Sequence, residues 1–273
     1  MLFQVYSLFD RVTGFVLPPR CVLCRGLGQR PNFDLCGPCE ADLPWLVRPC
    51  PRCGLPLEGA EPPDRSYVWC ARCETAALPY SRCYAPFLYE FPLADLVQSL
   101  KYEGSLAHAR VLGVLLGAAA QRHGLVANVD AIVPMPLHPS RLLERGYNQS
   151  YEIARFVARM LGLRCQPQAL RRTRPTPPQV GLPRDARVEN VRGAFTGSRE
   201  VVRGRRLVLL DDVVTTGSTV SAAARALRDA GAITVDVWAI ARAPEPGQMS
   251  SSQLPHVEHV LDERAGHYPL AQR

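Results

Sequence analysis

Two groups of residues in this 273-residue sequence have the types and spacing to do chemistry. The first is Asp211-Asp212-Val213-Val214-Thr215-Thr216-Gly217-Ser218-Thr219. The apolar run Leu207-Val208-Leu209-Leu210 precedes it and reads as a parallel strand buried on both faces. Such a strand delivers two adjacent carboxylates to its C-terminal end, the edge at which open α/β sheets bind ligands. The helix expected over Ser218 to Ala230 then presents free N–H groups and a positive dipole end, which suit a phosphate. Thr215, Thr216, Ser218 and Thr219 add hydroxyl donors, and Gly217 permits close backbone approach. Asp211 and Asp212 would repel a phosphate at their own position; they suit hydroxyls or a bound Mg²⁺. A diol beside a phosphate describes a ribose 5-phosphate. Neither a G-x-x-x-x-G-K-[ST] loop nor a G-x-G-x-x-G fingerprint occurs, so ATPase and dinucleotide readings lose. The plainer alternative is an ordinary strand end with a Thr/Ser helix cap and one solvated Asp.

The second group is four C-x-x-C pairs: Cys21/Cys24, Cys36/Cys39, Cys50/Cys53 and Cys70/Cys73. Two residues between cysteines make a tight turn that aims both sulfurs at one point, and two such turns complete a tetrahedral Zn(Cys)₄ site. Eight ligands make two sites. Sequential pairing is simplest, but spacing leaves a cross-braced arrangement open, and redox dithiols or an iron–sulfur cluster are the competing chemistries. Full Cys₄ coordination leaves no open position, so the zinc is expected to be structural. Cys83 and Cys165 have no partner in the pattern and read as small buried apolar residues.

The elements that must position these groups change character along the chain. Residues 1 to about 83 are rich in Cys, Pro and Gly, cannot build a large core and need the metal as a staple. Beyond them, helices are expected over Ala94 to Tyr102, Leu106 to Gln121 and Gln149 to Leu161, the last with Ile153, Phe156, Val157, Met160 and Leu161 on one face. Asp130 to Val133 and Ile233 to Ile240 read as strands, and residues 171 to 192 as a long mobile loop. Strands alternating with helices argue an α/β domain with a mainly parallel sheet. The segment after Pro244 is polar and Ser-rich.

Net charge is +7, and Lys101 is the only lysine among 32 Lys and Arg residues. From Arg141 to Arg206 fifteen Arg face five acidic residues, so the positive excess sits in mid-chain. Eight thiolates around two Zn²⁺ would remove about four charges overall. No apolar stretch approaches the ~18 residues of a membrane span. Residues 1–11 lack a basic n-region and read as a short amphipathic helix. With cysteines in metal-ligand spacing, a reducing, cytoplasmic setting is expected.

The run from Val208 to Thr219 resembles the 5-phosphoribosyl-1-pyrophosphate (PRPP) motif of type I phosphoribosyltransferases. The wider chain resembles the ComF family of competence-associated proteins, a double zinc ribbon joined to a phosphoribosyltransferase domain. The supporting stretches are Leu100 to Gly104, Val133 to His138, Arg141 with Arg145 to Ser150, and Gln179 through Arg187, Asn190 and Gly193 to Phe195. The resemblance covers roughly residues 20 to 243 and implies a type I phosphoribosyltransferase fold with parallel sheet over 84–243, preceded by a double zinc ribbon. With the N-terminal helix that first segment spans 1–83, and the polar segment 244–273 reads as a poorly ordered tail. It implies that Asp211 and Asp212 hold the ribose hydroxyls and Thr215 to Thr219 the 5-phosphate, with Mg²⁺ accompanying PRPP. Pro134-Met135-Pro136 would hold pyrophosphate, often through an unusual peptide, and His138 beside it is expected to be structural. Arg171, Arg172, Arg174, Arg184 and Arg187 would lie on a flexible loop that closes over pyrophosphate, or that contacts nucleic acid instead. The acceptor is not legible. Two functions follow: phosphoribosyl transfer in DNA uptake or processing, or a non-catalytic PRPP sensor or single-stranded-DNA scaffold, with Tyr147 and Tyr151 as stacking residues. A DNA-uptake helicase or another competence protein is an expected partner.

Overall fold

The computed structural model describes residues 18–29, 33–57, 69–176 and 189–244. The expected N-terminal helix, the tail beyond 244, and Arg184 and Arg187 lie outside the described residues. The described residues open with two cysteine-bearing segments, each ending in a five-residue helix: α1 (Gly37–Ala41) and α2 (Ala71–Thr75). The short strands β1 (Cys83–Tyr84) and β2 (Phe87–Leu88) lead to helices α3 (Leu93–Glu103) and α4 (Leu106–Arg122). Then come β3 (Ala131–Pro134), α5 (Pro139–Arg145), α6 (Gln149–Leu161) and β4 (Arg164–Cys165). A hairpin of β5 (Leu170–Arg172) and β6 (Phe195–Gly197) is followed by α7 (Arg199–Val202), β7 (Arg206–Val214), α8 (Ser218–Asp229) and β8 (Thr234–Arg242).

The main sheet has the order β1-β8-β7-β3-β4, with β2 also on β8, and every pairing in it is parallel. Parallel strands need crossovers, and the crossovers lay helices on both faces. The two central strands show what that demands of a sequence. Val208 and Leu210 of β7 with Trp238 and Ile240 of β8 pack into one core, against α3, α4 and α6. Leu207 and Leu209 with Val235, Val237 and Ala239 pack into the other, against Val220, Ala223, Ala224 and Leu227 of α8. Both faces are therefore apolar, and the strands read as runs instead of alternations. Helices α4 and α6 approach closely because Gly113 stands at the crossing: a Cβ there would lie 2.7 Å from Cβ of Phe156 and 3.0 Å from the Ile153 carbonyl. Among the described residues, no helix is long and apolar enough to cross a membrane.

The zinc-ribbon segment is not a separate bead. Cys21, Phe33, Leu35 and Leu43 join the core formed by α3, α4 and α6, and Arg110 of α4 donates to the Asp34 carboxylate. The second cysteine group builds its own small cluster with Leu55.

Residues 171 to 192 are not one long loop. Leu170–Arg172 is a strand paired antiparallel with β6. Leu170 is buried, and the Arg172 guanidinium lies 5.4 Å from the Phe195 ring centroid, so the hairpin has its own apolar support. The cis peptide among the described residues is Phe91–Pro92, not a bond of Pro134-Met135-Pro136.

Candidate functional site

Strand β7 runs further than its apolar stretch, and Asp211 and Asp212 lie within it. Asp211 is in register with Ala239 of β8, and both carboxylates are buried. Buried carboxylates need donors, and each has them. Asp211 Oδ1 accepts from the Ser150 hydroxyl at 3.1 Å and from the Asp212 N–H at 2.9 Å. Asp212 Oδ1 accepts from the Val213 N–H at 2.7 Å, and its Oδ2 from Gln149 Nε2 at 3.3 Å. Lys101 Nζ, from the end of α3, pairs with the same Oδ2 at 2.9 Å.

The donors are held in place in turn. Asn148 caps α6 by accepting from the N–H groups of Ser150 and Tyr151, and its Nδ2 donates to the Met135 carbonyl at 3.0 Å. Arg145 donates to Gln149 Oε1 at 2.7 Å. Pro134-Met135-Pro136 thus sits beside the acidic pair: Pro134 is in register with Leu210, and the Met135 N–H donates to the Leu210 carbonyl at 2.8 Å. His138 caps α5 through Ser140, a structural role.

Burial, and then the neighbouring Asp212 charge, push the Asp211 carboxyl up to about 7, while the Asp212 N–H, Lys101 and Ser150 pull it back. Burial alone would lower the Lys101 ammonium; its Asp212 partner overrides that and the net shift is upward. Lys101 was missed as a site residue because its partner is far away in sequence. One signal pointed to it: it is the only lysine in a chain otherwise restricted to arginine.

Past Val214 the chain turns through Thr215, Thr216 and Gly217 into α8. Gly217 takes φ +80°, a conformation that disfavours side chains. Thr216 and Ser218 hydroxyls lie 2.9 Å apart. A cavity of about 500 Å³ opens here, lined by Thr216, Gly217, Ser218 and Ser221 and by Arg72, Arg192 and Arg225. The helix N-terminus, hydroxyls and arginines give one positive, donor-rich chamber at the start of α8. Thr219 stands in the first turn of α8.

The flexible-loop arginines divide. Arg171 lies exposed on β5, Arg172 reaches Thr176, and Arg174 donates to the carbonyls of Asn190 (2.9 Å) and Arg192 (2.7 Å). Tyr147 is held by its hydroxyl's donation to the Leu100 carbonyl, and the Arg155 guanidinium sits 5.8 Å from the Tyr151 ring centroid.

The cysteines form two groups, Cys21/Cys24/Cys36/Cys39 and Cys50/Cys53/Cys70/Cys73, with sulfurs within 4.8 Å of one another in each. The pairing is sequential, not cross-braced. Cys24 and Cys36 sulfurs are 3.6 Å apart, as are those of Cys53 and Cys70. Four sulfurs ~2.3 Å from a tetrahedral Zn²⁺ would stand about 3.8 Å apart, so both groups fit that ion. The Cys70 N–H donates to the Cys50 sulfur at 3.4 Å, a bond that favours thiolate. Burial raises the Cys73 thiol, a cost that a bound dication would offset. Burial likewise raises the lone Cys83 to about 12. The full chain is expected to hold two zinc ions. Cys24→Ser and Cys70→Ser should each retain one by elemental analysis; two retained in either would count against a Cys₄ set there.

Two zinc ribbons packed on a parallel α/β unit, with an acidic pair and a Thr/Gly/Ser turn at the sheet's C-terminal edge, define a zinc-ribbon protein with a phosphoribosyltransferase-type domain. The double zinc ribbon domain family matches residues 12–74, and the phosphoribosyl transferase domain family matches residues 149–259. Over 230 residues the chain is 34% identical to DNA utilization protein YhgH of Escherichia coli O6:H1 and 35% identical to YhgH of Salmonella typhimurium. These alignments span 83% of this chain and 98% of each relative. Competence protein F of Haemophilus influenzae is 30% identical, over 82% of this chain and 97% of its own length. The chain belongs to this ComF family of DNA utilization and competence proteins.

Proposed function

We propose that the chain binds PRPP with Mg²⁺ and transfers its phosphoribosyl group to an acceptor in DNA utilisation. One observation carries the reading: a buried Asp211–Asp212 pair, held by Ser150, Gln149 and Lys101, precedes an α8 N-terminus that opens on an arginine-lined cavity. The pair accepts hydrogen bonds from the ribose 2- and 3-hydroxyls. The N–H groups and hydroxyls of Thr215 to Thr219 take the 5-phosphate. Pro134 to Pro136 line the side where pyrophosphate leaves, and Arg172 and Arg174 stand on the hairpin nearby. Asp211 and Asp212 are hard oxygen donors and suit Mg²⁺, which would neutralise the departing pyrophosphate. The chain's own task is to orient C1 of the ribose and stabilise charge as the bond to pyrophosphate loosens.

A second reading rests on the relatives' names and on the arginine excess between Arg141 and Arg206: a PRPP-binding protein that acts on single-stranded DNA without transfer. One experiment separates the two. Pyrophosphate release from PRPP is followed with Mg²⁺, across nucleobase acceptors, with and without single-stranded DNA. Release that disappears in Asp211→Ala/Asp212→Ala supports transfer. PRPP binding with no release above that variant, together with salt-dependent DNA binding, supports the second reading.

A further inference from the structure

The turn between β7 and α8 is held through its carbonyls by two guanidinium groups. Arg242, at the end of β8, is 1% exposed. Its Nη1 donates to the carbonyls of Val214 (2.9 Å), Thr215 and Ala243 (2.8 Å). Its Nε donates to the Cys53 carbonyl at 3.0 Å, inside the second cysteine group. Arg72 lies in α2 between the ligands Cys70 and Cys73, and its Nη2 donates to the Thr216 carbonyl at 3.1 Å. Gly54, next to Cys53, packs against the same guanidinium stem: a Cβ there would lie 3.6 Å from Arg242 Cδ. Three successive carbonyls, those of residues 214, 215 and 216, are thereby tied to the second ribbon.

In a planar trans peptide the C=O of one residue and the N–H of the next point in opposite directions. Fixing the carbonyls of Val214, Thr215 and Thr216 therefore fixes the directions of the N–H groups of Thr215, Thr216 and Gly217. Those are the donors assigned to the 5-phosphate. The first cysteine group is anchored elsewhere, through Asp34 on Arg110 of α4.

We infer that the second zinc ribbon is a positioning device for the phosphate turn, with Arg72 and Arg242 as its positioning residues. Zinc at Cys50, Cys53, Cys70 and Cys73 then fixes α2 and the Cys53 carbonyl, and so the donor array. The assignment of those donors to a phosphate rests on the PRPP reading; the mechanical tie does not.

The test uses the zinc-loaded full chain and two readouts, amide hydrogen exchange at Thr215 to Thr219 without ligand, and calorimetric PRPP affinity. Arg72→Ala keeps all eight cysteines and should keep two zinc ions. It is expected to speed exchange in the turn and to raise the PRPP Kd by about tenfold, the scale of one charged hydrogen bond. Arg72→Lys should recover part of both. Asp34→Ala, which removes the first ribbon's ion pair with α4, should leave the turn's exchange unchanged. Cys70→Ser should speed exchange as Arg72→Ala does; Arg72→Ala decides if that protein does not fold. Wild-type exchange rates in Arg72→Ala, or equal acceleration in Asp34→Ala, would overturn the inference. If the wild type gives no PRPP binding heat, the ligand reading falls, and exchange still decides the coupling.

Discussion

Asp211→Asn/Asp212→Asn is expected to lose PRPP affinity by about a thousandfold while remaining folded. Each substitution keeps the shape of the side chain and removes a charge. Hydrogen bonds to an ionised group contribute about 1.5–3 kcal/mol each, so two of them amount to roughly two to four decades in Kd. Stability should respond differently, which guards against mistaking unfolding for lost binding. The folded-state pKa of Asp211 is raised to about 7, against an unfolded value near 3.9. A carboxyl raised in this way favours the folded state fully below its unfolded pKa and loses that contribution as pH climbs through the folded one. At pH 8 the wild type therefore keeps an ionised, buried carboxylate at a cost, and Asp211→Asn alone removes it. The single variant should match or exceed the wild-type Tm at pH 8 and bind PRPP at least tenfold more weakly. Calorimetric titration in Mg²⁺ buffer, with thermal unfolding of the same samples, reads both. A double variant within threefold of wild-type Kd would remove the acidic pair from the ligand site.

The acidic pair and the turn were legible because they are contiguous, and a run of nine residues can be read without knowing its neighbours. Helix α6 was legible from Gln149 to Leu161 because its apolar spacing and its Asn148 cap agree. Strand β7 extends past its apolar signal, Leu207 to Leu210, as far as Val214. Two carboxylates look like the end of a strand, yet Asp211 stays in the ladder because Ser150 and a backbone N–H satisfy it from outside the local sequence. The β5–β6 hairpin was hidden for the opposite reason. Arg171 and Arg172 resemble a solvated loop, and the Phe195 ring that supports Arg172 comes 23 residues later, across an intervening segment. Arg242 was the least legible of all. It follows a buried strand and looks like a polar terminus, while its Cys53 partner is 189 residues away.

Lys101→Met is expected to destabilise the chain by about 2 kcal/mol at pH 8 and by much less at pH 5. Removing one partner of a buried ion pair typically costs ~3–5 kcal/mol. Lys101 keeps 23% side-chain exposure and Asp212 keeps 8%, so solvent screening lowers the figure. For a domain of this size the gap corresponds to roughly 4–8 °C in Tm. The pH dependence follows from Asp211. The Lys101 ammonium is among the groups that hold that carboxyl down, so its loss pushes the folded-state pKa further up. The Asp211 contribution then favours the folded variant while that carboxyl is protonated, and it is lost as the pH rises through the new value. Thermal unfolding of both proteins from pH 5 to pH 8 should show a Tm gap that widens with pH; a constant gap would mean that Lys101 acts by packing alone. Lys101→Arg separates charge from shape. It restores the positive charge and should restore most of the pH profile, but a planar fork cannot replace a compact ammonium 2.9 Å from Asp212 Oδ2 without crowding Gln149 on the same oxygen. That mismatch is a physical reason for a chain with arginine at every other cationic position to keep one lysine here.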